Sequence, residues 1–134
     1  MPENNKLRYD SYTESPKGHL NNITFTASVK KLGDVYAEAT PITALTSHGD
    51  FVGGIAGVTA MGRQLGVDVG FSEENPGIML KSFDGILNKG RGKKAWGWQI
   101  AINGKKLRRG LNLAKIRNGD HLEIFWGNLT TLPY

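Results

Sequence analysis

The chain has 134 residues, 39% of them hydrophobic, which is enough for one domain that buries its own core without staples. It contains no cysteine, so a disulfide framework, thiolate zinc sites and a cysteine nucleophile are excluded together, and its three histidines are scattered. The net charge of +5 is unevenly placed: residues 1–80 hold six Lys/Arg against nine Asp/Glu, whereas residues 81–134 hold eleven against three.

Residues 1–22 are polar, with Pro16 and Gly18, and read as a flexible N-terminal arm ahead of a single domain over 23–134. No stretch approaches the roughly 20 apolar residues needed to span a bilayer, and the first residues have no apolar core of a secretory signal. The expected location is extracellular or cell-surface if an export signal once preceded Met1, and cytoplasmic otherwise.

Ile23, Phe25, Ala27 and Val29 alternate with Thr24, Thr26 and Ser28, the pattern of a half-buried strand. Val35 to Thr40 reads as its hairpin partner, ended by Pro41. Phe51, Ile55, Val58 and Leu65 then recur at helical spacing, with Ser47 or Asp50 as N-cap, which predicts a helix over about 50–65. Its glycines, Gly53, Gly54, Gly57 and Gly62, each cost about 1 kcal/mol relative to alanine, so the helix must pack closely on something flat. Residues 66–77 read as a connection. Ile78 to Phe83 reads as a short strand ended by Asp84-Gly85, and 86–94 as a basic, glycine-rich loop.

Trp96, Trp98, Ile100 and Ile102 alternate in a strand that Asn103-Gly104 closes with a type I′ turn. After Leu111 to Arg117, the turn Asn118-Gly119-Asp120 leads into Leu122, Ile124 and Trp126, again alternating. The order of hairpin, helix and further strands predicts an α+β domain: a β-grasp-like mixed sheet of about five to six strands with one helix packed across it. A plain antiparallel sheet without a true helix is the alternative.

The run from Ile78 through Ser82-Phe-Asp-Gly85, the pair Trp96/Trp98, Ile100-Ala-Ile-Asn-Gly104, Gly110 and Ile116-Arg-Asn-Gly-Asp120-His-Leu-Glu-Ile-Phe125 resembles the DUF4430 family. That family is similar to the C-terminal β-domain of transcobalamin and intrinsic factor. The likeness spans about residues 23–127, with its specific part in 78–126. It implies a non-catalytic module, common on exported or cell-surface proteins, that works by contact. Cobalamin is suggested by the resemblance alone. In the carriers a helical barrel forms the other wall of the ligand cleft, so no cofactor is expected here.

The catalytic inventory is thin, and no catalytic or metal-ligating residue is expected. His19, His48 and His121 lie in different segments without ligand spacing, and Glu73-Glu74 reads as a solvated acidic turn. Residues 49–57 are rich in glycine but lack the ending of a phosphate-binding loop. Trp96 and Trp98 suit either a core face or a groove that takes a flat ring. Around them stand Lys89, Arg91, Lys93 and Lys94 on one side and Lys105, Lys106, Arg108 and Arg109 on the other, eight cations with no acid among them. The expected binding surface is Trp96, Trp98, Arg91, Lys93, Lys94, Lys105, Lys106, Arg108 and Arg109. The expected partner is an anionic ligand or an acidic protein that docks in an assembly, with nucleic acid or another polyanion as the alternative.

Overall fold

The computed structural model describes residues 21–31, 34–46, 49–73, 77–107 and 110–128. The alternating segment at the start forms β1 (Asn21–Lys31), and β2 (Asp34–Thr46) returns antiparallel to it. Residues 1–20 of the expected arm lie outside the described residues, and Asn21 and Asn22 belong to β1. The partner strand does not stop at Pro41. It continues to Thr46, which the missing proline N–H permits because β2 is the outermost strand of its sheet.

β3 (Phe51–Gly53) leads directly into α1 (Gly54–Leu65), so the helix begins four residues later than expected and its N-cap is Gly53. Ser47 lies outside the described residues. Asp50 is displaced from capping because Phe51–Gly53 is drawn into pairing with β9 (Lys115–Arg117). The Gly54 N–H donates to the Ala114 carbonyl at 3.0 Å, a backbone cap in place of a side-chain one. Close packing accounts for the helix glycines. A Cβ on Gly54 would lie 2.6 Å from the Leu111 carbonyl oxygen and 2.8 Å from the Ala114 Cβ, and one on Gly57 would run into the end of Ile116. At the other end Gly66 adopts φ +71, and Val67 N–H reaches back to the Gly62 carbonyl at 2.9 Å.

The stretch read as a connection contains β4 (Val69–Glu73), which pairs with β5 (Ile78–Phe83), and β6 (Ile86–Leu87) follows. β7 (Trp96–Ile102), β8 (Lys105–Lys106) and β10 (His121–Asn128) complete the strands, with short 3-10 turns at Gly92–Lys94 and Leu111–Leu113. The strands form three sheets: β2-β1-β10-β7-β8, β3-β9 and β4-β5-β6. Within the first, β1 and β10 run parallel, with Thr26 opposite His121 and Lys30 opposite Phe125.

This corrects the expected class. Strands dominate the described chain and divide among three sheets, with one helix among the described residues, so the architecture is closer to a β-sandwich than to an α+β grasp. The reason is that 69–73 and 86–87 pair instead of looping, and the β4-β5-β6 sheet turns its apolar side onto the large one. Phe83 of β5 meets Trp98 of β7 with ring centroids 5.5 Å apart, and Trp98 meets the Trp126 ring edge-on at 5.4 Å. The core is one continuous cluster in which Phe25, Val58, Leu80, Ile100, Ile116 and Ile124 come from both layers and the helix.

Candidate functional site

β7 organises the residues singled out above, and its two ends differ. At its C-terminal end Asn103 (φ +53) and Gly104 (φ +80) make the expected turn, with Ile102 opposite Lys105. Asn103 N–H donates to the His121 carbonyl and Asn103 Oδ1 accepts the His121 N–H, both at 2.8 Å. The Asn103 Nδ2 donates at 2.9 Å to Asp120 Oδ1, while Asp120 Oδ2 accepts the Arg117 N–H at 2.8 Å. The second turn docks on β1: Asn118 Oδ1 accepts the Thr24 N–H at 2.8 Å and Gly119 N–H donates to the Thr24 carbonyl at 2.9 Å. Asn103 and the Asn118-Gly119-Asp120 turn therefore splice three strands together, using side chains as backbone partners.

His121 belongs to the same structural work. Its Nδ1 lies 2.7 Å from Thr26 Oγ1 and its Nε2 3.1 Å from Ser28 Oγ, so both ring nitrogens are engaged across the β1–β10 pair. His19 and His48 lie outside the described residues. Among the described residues no group of three or more His, Cys, Asp or Glu is placed to hold a metal ion, and no helix is long and apolar enough to cross a membrane.

Midway along β7, Trp98 is 1% exposed and its indole N–H donates to the Ile86 carbonyl at 2.8 Å. It is a core residue, enclosed because the β5–β6 hairpin covers it, and a ligand does not reach it. Asn88 holds that cover in place, a role the sequence reading missed. Its Nδ2 donates to the Leu80 carbonyl at 2.9 Å and its Oδ1 accepts the Trp98 N–H at 2.8 Å. An asparagine between an apolar pair and a glycine-rich loop was the available signal.

At the N-terminal end of β7, Trp96 is 36% exposed. Its N–H and carbonyl exchange hydrogen bonds with those of Lys89, at 2.7 and 2.8 Å, which closes the loop between them. Inside that loop Lys94 N–H donates to the Arg91 carbonyl at 3.0 Å, and Asn128 Nδ2 reaches the Lys93 carbonyl at 3.4 Å. Gly90 adopts φ +83, and a Cβ there would run into the Lys94 carbonyl, leaving no room for a side chain. Lys89, Arg91, Lys93 and Lys94 are exposed, and none has an acidic partner among the described residues. Lys105 and Lys106 are also exposed, but they lie at the far end of β7, about 20 Å away at the rise of an extended strand. Arg108 and Arg109 lie outside the described residues.

No family model matches this chain, and no curated protein matches its sequence. Solved structures do share its architecture. The crystal structure of haptocorrin in complex with Cbi superposes with a TM-score of 0.59 at 19% identity, over 84% of this chain and 27% of the haptocorrin chain. The fold is shared with haptocorrin. A proposed metal-binding protein from Ruminococcus gnavus ATCC 29149 superposes with a TM-score of 0.52 at 12% identity, over 79% of this chain and 97% of that one. At these identities the likeness shows the fold alone. It agrees with the expected transcobalamin-like β-domain as a fold, while no family model supports the assignment to DUF4430. The chain spans about a quarter of the haptocorrin it matches.

Proposed function

We propose that this chain is a non-catalytic binding module that holds an anionic ligand or acidic partner at the N-terminal end of β7, through Trp96 with Arg91, Lys93 and Lys94. One observation carries the reading: a partly exposed tryptophan, its main chain held by two backbone bonds, stands beside a loop of four exposed cations without acids. A loop backbone held in place before contact loses little freedom on binding, which favours affinity. The fold shared with haptocorrin supports a module of this kind. Haptocorrin is seen with Cbi, but this chain matches a minor part of that protein, so contact rather than ligand identity carries over.

The test is binding of labelled poly-glutamate and inorganic polyphosphate to the native chain and to the triple variant Arg91→Glu, Lys93→Glu, Lys94→Glu, at low and moderate salt. The native chain binds at least one of them, with affinity falling as salt rises, and the variant does not. Binding indifferent to salt and to the reversal would remove the reading.

A further inference from the structure

The parallel pairing of β1 with β10 brings to the Trp96 end a cation that lies 65 residues away in sequence. Across the sheet Val29, Ile124 and Ile100 stand in register. Two residues further on along the same face come Lys31, Trp126 and Trp98, and beyond Trp98 comes Trp96, opposite Asn128. Lys31 is exposed and stands opposite Asp34 of β2, whereas Lys30, on the other face, is paired with Glu123 at 3.2 Å. On the opposite flank Lys89 stands directly across from Trp96. Lys31 lies two strand spacings of about 4.8 Å from β7 and two residues, about 7 Å, short of Trp96 along it, a span for a bound chain of charges rather than for the lysine side chain alone. Trp96 is thus an exposed ring with Lys89 on one flank, Lys93 and Lys94 at its rim, and Lys31 farther off, beyond β10.

Resting on the reading above, we infer that the anion taken here is a single-stranded nucleic acid, with a base stacked on Trp96 and phosphates on Lys31, Lys89, Lys93 and Lys94. An acidic protein fits less well. Protein interfaces are centred on apolar surface and are depleted in lysine, whereas the apolar surface here is one indole, with Leu87 two residues before Lys89, inside a ring of cations. A strand of nucleotides supplies the complement: planar rings that stack irrespective of sequence, and a charge between each pair. A duplex keeps its bases stacked on each other and does not offer one to Trp96.

The experiment measures anisotropy of a short labelled oligo(dT), a duplex of equal length, inorganic polyphosphate and poly-glutamate with the native chain. It is repeated with Trp96→Ala, Trp96→Phe, the pair Lys31→Glu and Lys89→Glu, and the distal pair Lys105→Glu and Lys106→Glu. Oligo(dT) is expected to bind more tightly than the other probes, and four phosphate contacts imply a loss of roughly fifty-fold between about 50 and 200 mM salt. Trp96→Ala weakens oligo(dT) roughly tenfold or more while leaving polyphosphate unchanged, and Trp96→Phe restores most of the loss. The Lys31/Lys89 reversal weakens both probes, and the distal pair weakens neither. Polyphosphate or poly-glutamate bound as well as oligo(dT), with Trp96→Ala without effect, would overturn the nucleic-acid assignment and leave anion contact standing. Failure of every probe at low salt would overturn both, and loss of binding through the distal pair alone would overturn the location.

Discussion

The two ends of β7 show the same residue types put to opposite uses. At the Asn103 end, polar side chains are turned inward on the backbone: Asn103, Asn118 and Asp120 each satisfy N–H groups of neighbouring strands, and Arg117 lies 3.7 Å from Asp50. At the Trp96 end the loop is closed by backbone bonds, joined by Asn128 Nδ2 at the Lys93 carbonyl, and the side chains of Arg91, Lys93 and Lys94 are left to solvent. The residues that make the chain resemble a known family are concentrated at the first end, where they build the fold. The residues proposed to face a partner stand at the second. A resemblance carried by turn chemistry thus speaks for architecture and leaves the ligand to be argued separately.

The sharpest way to break this comparison is through the two neighbouring tryptophans. Trp98→Ala empties a site packed by Phe83 and Trp126 and frees the Ile86 carbonyl, and a loss of about 3–5 kcal/mol is expected in chemical denaturation. Trp96→Ala removes a ring already partly in water and should cost under about 1 kcal/mol. Equal losses would mean that both rings are core and that the Trp96 end has no working surface.

Next in size is Asp120→Ala. It leaves the Arg117 N–H and the Asn103 amide without their charged acceptor, and about 2 kcal/mol of stability should go with it. Anion binding at the Trp96 end should be unchanged. A change in binding with no change in denaturation midpoint would place function in the turns.

Gly104→Val sharpens the same point with a smaller effect. Nothing lies within 4 Å of a Cβ at Gly104, so any loss comes from a β-branched residue held at φ +80 and not from a clash. The expected cost is about 1–2 kcal/mol by thermal melts. A loss below about 0.5 kcal/mol would mean the turn adjusts freely and does not set the register of β7.

How far the sequence displays all this depends on how local each cause is. β10 alternates cleanly because it buries one face, β1 nearly so, and β7 alternates bulky with small or polar residues although both its faces are covered; the helix is visible in Ile55, Val58 and Leu65 although its glycines argue against it. β4 was legible in principle, since Val67, Val69 and Phe71 alternate, but Gly66, Gly70 and the nearby acids masked the signal. β3 and β6 are too short to carry a period, and they exist only because β9 and β5 are there to pair with them. Trp96 and Trp98 are indistinguishable by spacing. What separates them is the reach of the β5–β6 hairpin, which covers one and stops before the other. Lys31 could not be placed toward the Trp96 end of the sheet from sequence, because a parallel pairing of strands more than 90 residues apart carries it there.

The smallest expected effect is on stability and the most telling on contact. Reversing Arg91, Lys93 and Lys94 to glutamate changes three exposed side chains with no acidic partner among the described residues. Their loop is held by backbone bonds, Lys89 to Trp96 and Lys94 to Arg91, which the reversal leaves intact. Exposed substitutions away from such bonds stay within about 0.5 kcal/mol, so the melting curve should hardly move. Relief of repulsion among neighbouring cations is replaced by repulsion among anions of similar spacing, and salt screens both. Lys105→Glu with Lys106→Glu should be equally silent in a melt, since both residues are exposed at the far end of β7. The two variants then differ only in binding: the first should lose polyphosphate and the second should keep it. If both lose it in equal measure, the two ends act through net charge alone and β7 has no preferred end. If the first melts several degrees lower, the loop cations support the fold and the Trp96 end resembles the Asn103 end after all.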